Sequence, residues 1–192
     1  MRVILGSQSA SRRALLARIV PEFETRPADI DEQAIRSDDY EGLPLLLAHA
    51  KADALLPEIR REYDSGALLI TSDQVVVCDG ELREKPRSAE EVRRYLASYD
   101  RHPAQTNTAV VVHNTVTGVR AAGIDIARVY YRPIPKDLVE RLIEEGGVFS
   151  AAGGFQVEDP LAEPYILRID GEKESIMGLP MALTRRLLRE AG

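Results

Sequence analysis

The sequence predicts an α/β fold in which helices pack on a sheet of mixed direction, and two features of its 192 residues indicate this. Short apolar runs typical of strands alternate along the chain with segments whose apolar residues recur at helical spacing. This mixture of elements is typical of a sheet with helices packed on it. A hydrophobic content of 44% is enough for a sizeable core, as one domain or as two lobes around a cleft.

The first predicted strand and helix are joined by a polar, basic turn. Residues 1–5 form an apolar run that favours a strand, and residues 6–13 contain Gly, Ser and Arg. A helical run follows over residues 14–20. The next helix is predicted over residues 43–56, and Lys51 lies within it.

Two short apolar runs occupy the middle of the chain, over residues 67–71 and 75–78. Because the triplet Ser72-Asp73-Gln74 between them is polar, we expect it to interrupt a strand. The second run ends at Asp79-Gly80, a pair typical of a tight turn. Cys78, the single cysteine, is predicted to be a buried strand residue, and one cysteine excludes an internal disulfide.

The next elements are a helix and two paired strands. Ser88 followed by Glu91 matches a capping box, which predicts a helix over residues 89–99. Residues 106–113 and 118–132 then alternate as two strands, paired through the turn between them.

Two helices are predicted in the last third of the chain. The first covers residues 136–145 and is stopped by Gly146-Gly147. The second is an amphipathic segment over residues 180–190.

Charge and hydropathy argue against two broad functional classes. The formal net charge of −6 argues against a general nucleic-acid binder, because affinity for a phosphate backbone comes mainly from clustered basic charge. No segment offers the roughly 18 consecutive apolar residues that cross a bilayer, and the N-terminus lacks the pattern of a signal peptide. We therefore expect a cytoplasmic protein that binds neither stable nucleic acid nor a membrane.

The turn over residues 6–13 is the first candidate site. Hydroxyls, backbone N–H groups and guanidinium groups at the start of a helix suit the binding of a phosphate group. The alternative is that Ser9 or Ser11 only caps the helix. The two arginines, Arg12 and Arg13, would then be solvated, and the turn by itself favours this alternative.

Four charged residues form the second candidate site: Glu32, Lys51, Asp73 and Lys85. Asp73 follows a buried apolar run, where an acid needs a partner cation such as a metal ion or a lysine. Proteins generally hold magnesium with one or two carboxylates and substrate phosphates. Each of the other three residues, taken singly, fits a solvated surface charge.

Seven dispersed motifs resemble, in order and spacing, those of the Maf proteins. They are LGSQSASR (5–12), DIDE (29–32), AKA (50–52), SDQVV (72–76), EKP (84–86), AGGF (152–155) and GLP (178–180). The resemblance implies one Maf-like domain over residues 1–192, with an elongated, inosine-triphosphatase-like fold of two lobes around a central nucleotide cleft. It also implies a nucleoside triphosphate pyrophosphatase, a hydrolase that forms a monophosphate and pyrophosphate with a divalent cation, Mg²⁺ or Mn²⁺.

The resemblance also implies roles for individual residues. Ser7, Ser9 and Arg12 match the family's phosphate-binding turn. Lys51 and Lys85 match cations that neutralise the phosphate tail and the departing pyrophosphate.

The two acids of the motifs match the reacting centre of the family. Asp73 matches the catalytic acid, which is proposed to activate water for attack on the α-phosphorus, and Glu32 looks like a metal or water ligand beside it. The predicted metal ligands are therefore Glu32 and Asp73. No role in catalysis is expected for the three histidines, which are treated as structural or surface residues: His49, His102 and His113.

Three positions bear on the choice of base: Ser11, Gln74 and Glu158. One branch of the family has arginine, threonine and glutamine at these positions and prefers dTTP and UTP. A second branch has tryptophan, glutamine and glutamate and prefers 7-methyl-GTP. This chain resembles the second branch at Gln74 and Glu158, and a glutamate can accept hydrogen bonds from a guanine-type base. Two of the three positions therefore favour a 7-methyl-GTP-like purine over dTTP or UTP. The choice stays open, because Ser11 matches neither branch and Glu158 also fits an exposed loop acid.

The chain departs from the family pattern at Pro103, which stands where many members have a histidine. We expect this segment to lead into a strand and its chemistry to be dispensable. The most plausible alternative function is a non-enzymatic, nucleotide-binding regulator of septum formation. A P-loop enzyme is excluded because no glycine-rich loop ending in Lys-Ser or Lys-Thr is present. The predicted partner is a nucleoside triphosphate substrate, and the resemblance also allows a homodimer.

Overall fold

The computed structural model describes every residue from Met1 to Gly192 and confirms the predicted α/β class. Its strands are β1 (Arg2–Leu5), β2 (Glu24–Thr25), β3 (Ala67–Cys78), β4 (Glu81–Arg83), β5 (Ala104–Asn114), β6 (Arg120–Tyr131) and β7 (Ile166–Asp170). Its α-helices are α1 (Ala10–Leu16), α2 (Leu43–Glu62), α3 (Ala89–Leu96), α4 (Lys136–Glu145), α5 (Lys173–Ile176) and α6 (Met181–Ala191). Short 3₁₀ helices cover Glu32–Ala34, Gly147–Ser150, Ala152–Gly154 and Glu163–Tyr165.

The seven strands form one sheet of mixed direction, as predicted. Its strand order is β2-β1-β3-β5-β6-β7, and β4 pairs with β3 outside this path. β1 is parallel to both of its neighbours, since Ile4 pairs with Glu24 of β2 and with Leu69 of β3. β4 and β7 run antiparallel to β3 and β6, respectively.

The chain divides into two compact units. Unit 1 contains residues 1–74, 108–125 and 177–192, and unit 2 contains residues 75–107 and 126–176. β3, β5 and β6 therefore have residues in both units. The arrangement of one domain as two lobes around a nucleotide cleft stays a prediction.

Unit 1 has a hydrophobic core on each face of its part of the sheet. Ile4 and Leu5 are neighbours on β1 and are both fully buried. Because successive side chains of a strand point to opposite faces, they enter different cores. Leu5 packs with residues of α1 and α6, whereas Ile4 packs with residues of α2.

Unit 2 contains a cluster of three aromatic rings. Tyr99, Tyr131 and Phe155 pack with centroid separations of 5.5 to 5.8 Å. The Tyr99 hydroxyl also donates a 2.7 Å hydrogen bond to the carbonyl oxygen of Gly153. Gly153 has a φ of +73°, and a Cβ there would lie 2.8 Å from that hydroxyl oxygen. Glycine is therefore required in this motif for both its backbone conformation and its size.

Two predicted helix boundaries are confirmed. The Ser88 hydroxyl accepts a hydrogen bond from the backbone N–H of Glu91, and α3 begins directly after Ser88. α4 ends at Glu145 and is followed by Gly146 in the left-handed conformation, with a φ of +77°. Both ends therefore follow the side-chain and glycine capping rules.

Other helix boundaries were predicted wrongly. α1 occupies Ala10–Leu16 rather than residues 14–20, because Ser9 caps it earlier than the apolar pattern suggests. α2 continues to Glu62, and its last turns pack through the fully buried Ile59. α3 ends at Leu96, three residues short of the prediction.

The prediction that the polar triplet interrupts a strand was also wrong, because β3 runs without a break through Ser72-Asp73-Gln74. The buried hydroxyls here have partners. The Thr71 hydroxyl donates to the Ala48 carbonyl oxygen at 2.7 Å, and the Ser72 hydroxyl donates to that of Gly178 at 3.0 Å. A strand tolerates buried polar side chains when each one is hydrogen-bonded.

The sequence did not predict β2, β4, β7 or α5, which are all five residues or shorter. β5 begins at Ala104, directly after Pro103. Cys78 is buried at 1% exposure, as predicted. No helix has both the length and the apolar character that a membrane-crossing segment needs.

Candidate functional site

The candidate site begins where β1 ends. Gly6 follows β1, and its N–H donates a 2.7 Å hydrogen bond to the Ile70 carbonyl oxygen of β3. A Cβ at this position would lie 2.7 Å from Thr71 Cγ2 and 2.9 Å from Leu55 Cδ1. The absence of a side chain at Gly6 therefore lets the turn approach β3 closely.

Two serines organise the turn that follows. The backbone N–H of Ser9 donates to the Ser7 hydroxyl at 3.1 Å, and the Ser9 hydroxyl accepts from the backbone N–H of Arg12 at 3.3 Å. Ser9 is thus the N-cap of α1, which was the structural alternative for this residue. Ser7 is buried, whereas Ser11 is half-buried.

Arg12 is not a solvated arginine, although its neighbour Arg13 is exposed. Its guanidinium group donates through Nε to the Gly178 carbonyl oxygen at 3.0 Å and through Nη1 to that of Ser72 at 2.8 Å. Burial lowers the pKa of Arg12, and the negative charge of nearby Asp73 opposes that shift. Arg12 therefore ties the first turn to β3 and to the glycine that precedes α6.

A lysine and two carboxylates form the charged centre of unit 1. Lys51 Nζ lies 2.5 Å from Asp73 Oδ1 and 2.7 Å from Glu32 Oε1. The side chains of Lys51 and Asp73 are only 10% and 9% exposed, while that of Glu32 is 55% exposed. Burial raises the pKa of Asp73 despite the opposing effect of Lys51, since the charged form is costly where water is excluded.

Three different elements bring these groups together. Lys51 lies in the middle of α2, and Asp73 lies in β3. Glu32 lies in a 3₁₀ turn that is capped by Asp31, whose carboxylate accepts from the backbone N–H groups of Gln33 and Ala34. The solvated-charge interpretation does not hold for Lys51, which is buried against Asp73.

The predicted base-selecting residues belong to different units, with Ser11 and Gln74 in unit 1 and Glu158 in unit 2. The Gln74 side-chain amide donates a 2.8 Å hydrogen bond to the Thr108 hydroxyl on β5, within unit 1. Glu158 belongs to unit 2 and is exposed, as is Lys85. The roles of Lys85 and Glu158 stay predictions.

Sequence reasoning missed three residues that support the site. Ser72 and Gly178 supply the carbonyl oxygens that hold Arg12, and Thr108 fixes the Gln74 amide. Ser72 and Gly178 both fall inside the motifs, which was the available signal. Thr108 lies in a predicted strand that offers no such signal.

The hydrogen-bond and charge contacts of the three histidines are with groups other than Lys51, Asp73 and Glu32. His102 Nδ1 is 3.5 Å from an Asp79 carboxylate oxygen, in unit 2. His49 and His113 both lie close to Arg120, in unit 1.

The sequence of the chain is similar to those of known proteins. The family model described as Maf-like protein matches residues 2–191. A relative from Dictyostelium discoideum, named 7-methyl-GTP pyrophosphatase, is 42% identical over 191 residues, which cover 98% of this chain and 96% of that protein. A protein of the same name from Idiomarina loihiensis is 33% identical over 190 residues, which cover 99% of this chain and 94% of that protein. A dTTP/UTP pyrophosphatase from Cupriavidus metallidurans is 36% identical, with coverages of 98% and 96%.

The match of the family model over almost the whole chain confirms the resemblance carried by the seven motifs. The cluster of Lys51, Asp73 and Glu32 and the turn held by Arg12 both lie inside that match. On these grounds, the chain belongs to the Maf-like protein family.

Proposed function

We propose that this chain is a nucleoside triphosphate pyrophosphatase, which hydrolyses its substrate to a nucleoside monophosphate and pyrophosphate. The observation that carries the proposal is the buried Lys51–Asp73 pair, to which Glu32 is joined. β3, which carries Asp73, lies next to β1, which ends at the serine-rich turn. The names of the three relatives support the same reaction class.

Asp73 is the group that accepts a proton from the attacking water. Burial raises its pKa, and a carboxylate with a raised pKa is a stronger base than an ordinary surface aspartate. Lys51 opposes that shift and so favours the ionised form that a base requires. Burial thus makes Asp73 a stronger base, and Lys51 keeps its carboxylate ionised.

Cationic groups would neutralise the phosphate tail. Lys51 presents its ammonium between two carboxylates, and Lys85 is exposed in unit 2. Arg12 uses Nε and Nη1 for two backbone carbonyl oxygens, so it contributes positive charge and holds the shape of the turn. Ser7 and Ser9 offer hydroxyl groups on that turn.

A divalent cation, Mg²⁺ or Mn²⁺, fits the two carboxylates. Glu32 and Asp73 each have an oxygen within 2.7 Å of the Lys51 ammonium, so the two carboxylates lie close together around one cation. No group of three or more His, Cys, Asp and Glu residues forms a self-contained metal site. Two carboxylates suit Mg²⁺, which completes its shell with water and substrate phosphates. When bound, the cation would stabilise negative charge on phosphate oxygens.

We further propose a preference for a 7-methyl-GTP-like purine over dTTP or UTP. Gln74 and Glu158 support it, as do the names of two of the relatives, while the third is named for dTTP and UTP. Thr108 holds the Gln74 amide at a fixed position. A Gln74→Thr substitution is expected to lower the ratio of 7-methyl-GTP to dTTP turnover. Homodimer formation and a cytoplasmic location stay predictions.

Pyrophosphate release from UTP, dTTP, CTP, GTP, 7-methyl-GTP and ITP, with Mg²⁺ or Mn²⁺, tests the proposal. Loss of a positioned base is expected to reduce turnover by about 10² to 10⁴ in Asp73→Asn. Asp64→Asn is the matched control, because Asp64 is an exposed carboxylate in a turn of the same unit. Full activity in Asp73→Asn would refute the role of Asp73. Absence of release from every substrate by the folded protein would favour a nucleotide-binding regulator instead.

A further inference from the structure

We infer that unit 1 carries a second anion site, separate from the Asp73 cluster, in which Arg60, Arg120 and His113 bind a small tetrahedral oxyanion of the phosphate class. This inference does not depend on the proposed catalytic activity. It rests on a hydrogen-bonding conflict at a buried histidine and on the charges around it.

The imidazole ring of His113 lies between two guanidinium groups. Arg120 Nε donates to His113 Nδ1 at 3.3 Å, and Arg60 Nη2 lies 3.5 Å from His113 Nε2. His113 itself is buried, with 5% of its surface exposed. Both ring nitrogens therefore face nitrogen atoms that can only donate hydrogen bonds.

A neutral imidazole has one acceptor nitrogen and one N–H group. In the tautomer in which Nδ1 of His113 accepts from Arg120, the Nε2–H group faces the N–H groups of Arg60, and in the other tautomer the Nδ1–H group faces Arg120 Nε. Protonation of the ring would only add a second donor. In either state, at least one buried N–H group faces another donor, so an acceptor placed between Arg60 and His113 would satisfy both.

The local charge favours an anionic acceptor. Arg60 and Arg120 are permanent cations, and Asp53, which lies 2.6 Å from Arg120 Nη2, is the acid that acts on both histidines. Two cations and one carboxylate leave one net positive charge while the histidines are neutral. His49 Nδ1 lies 3.5 Å from Arg120 Nη1 and adds a further polar group at the edge. A bound anion would balance this excess.

One face of α2 supplies the helical part of the site. His49 and Asp53 are four positions apart, and Arg60 follows seven positions later, so the three share a stripe of the helix. Lys51 is two positions from both His49 and Asp53 and therefore projects from a different face. The site is distinct from the charged centre that contains Lys51.

The β5–β6 hairpin supplies the other part. Asn114, the residue after His113, donates its backbone N–H to the carbonyl oxygen of Val119, the residue before Arg120. His113 and Arg120 are therefore cross-strand neighbours, and rigid elements on both sides fix the donors.

The arrangement of donors favours a tetrahedral oxyanion over a carboxylate. The guanidinium groups and the imidazole N–H come from a helix and from two strands, so they approach from different directions. A carboxylate has two oxygens in one plane, whereas a phosphate offers additional oxygens out of that plane. Inorganic phosphate is thus the appropriate probe.

The test is a titration of the protein, ¹⁵N-labelled at histidine, with sodium phosphate at constant ionic strength, followed by NMR of the His113 ring nitrogens. We expect a saturable shift with a Kd in the millimolar range or tighter. The shift should persist in Asp73→Asn, which reports on the other cluster. In Arg60→Gln, binding should weaken about 10-fold or more, and in Arg60→Lys it should be intermediate, because lysine keeps the charge but not the planar donor group.

Arg61→Gln is the matched control, because Arg61 is the adjacent exposed arginine on α2 and has no place in the cluster. Arg60 is also exposed, and thermal unfolding of each variant verifies that the fold is intact. No saturable shift at His113 up to about 50 mM phosphate would overturn the proposal. An equal response in Arg60→Gln, or equal binding of acetate, would also overturn it.

Discussion

Replacing Lys51 with methionine is expected to destabilise the protein more than replacing Asp73 with asparagine, although both substitutions break the same ion pair. Lys51 Nζ contacts both Asp73 and Glu32, at 2.5 and 2.7 Å. Removing the Asp73 charge leaves Lys51 with a second carboxylate. Removing the Lys51 charge leaves the 9% exposed Asp73 side chain without its bonded cation.

The size of the difference follows from burial. Removal of one partner from a buried ion pair costs about 3 to 5 kcal/mol, and the low end applies because the charge of Arg12 still acts on Asp73. The half-exposed Glu32 adds less than about 1 kcal/mol. Asp73→Asn should cost about 1 kcal/mol, since it leaves Lys51 paired with Glu32. The resulting difference of about 2 kcal/mol corresponds to a Tm difference of about 4 to 8 °C.

The penalty of Lys51→Met should also depend on pH. Burial already raises the pKa of Asp73, and Lys51 is the first of the groups that oppose this shift. Without Lys51 the pKa rises further. Because the folded-state pKa then exceeds the unfolded-state value, ionisation of Asp73 lowers stability as the pH rises through the folded-state pKa. The penalty is therefore largest at neutral pH and decreases under acidic conditions.

The assay is urea denaturation of the wild type and both variants, followed by far-UV circular dichroism at about pH 7.5 and about pH 5. We expect Lys51→Met to be the less stable variant at the higher pH and its penalty to shrink at the lower one. Equal stability of the two variants at neutral pH would refute the argument from burial. A penalty that is unchanged between the two pH values would refute the assignment of the cost to ionised Asp73.

Three further substitutions test contacts that stabilise the two units, all by the same denaturation assay. Gly178→Ala should lower the free energy of unfolding by at least about 2 kcal/mol, because φ is +100° and a Cβ would lie 3.0 Å from Arg12 Nε. Gly118→Ala is the control: Gly118 has a φ of +76° and open space around it, so this substitution should lower the free energy of unfolding by only about 1 kcal/mol. Arg12→Lys should cost about 3 kcal/mol and reduce pyrophosphate release, since lysine cannot reproduce both hydrogen bonds to backbone carbonyl oxygens. Tyr99→Phe should cost about 1 kcal/mol, because it leaves the Gly153 carbonyl oxygen without its hydrogen bond; a stability equal to that of the wild type would contradict the importance of this contact.

The sequence predicted the elements whose apolar pattern is long and regular. α4 was predicted to the residue, and α3 was predicted from its capping box. The pattern failed at β3, because Ser72 and Asp73 look like a break when only local polarity is considered. Their hydrogen-bond partners come from α2 and from Gly178, and such distant partners are invisible to local periodicity.

The motifs singled out Arg12, Lys51 and Asp73 one by one, but they did not predict the contacts that these residues make. The contact between Lys51 and Asp73 joins a helix to a strand, and that between Arg12 and Gly178 spans almost the whole chain. No rule of spacing relates such pairs, because tertiary packing alone decides which positions meet. For the same reason, the sequence suggested a phosphate-binding role for Arg12 but not its bonds to two backbone carbonyl oxygens.

The Lys51–Asp73 pair is difficult to explain as a device for stability. Burial raises the pKa of Asp73 even in the presence of Lys51. The folded protein therefore stabilises the ionised carboxylate less well than water does in the unfolded chain. Apolar side chains of similar volume at the two positions would often stabilise a fold as well or better. Ile70 and Val76, on the same strand, show that β3 buries such side chains readily. A buried acid with a raised pKa, next to a lysine, is instead what general-base chemistry requires, and this supports the proposal that the pair serves catalysis rather than architecture.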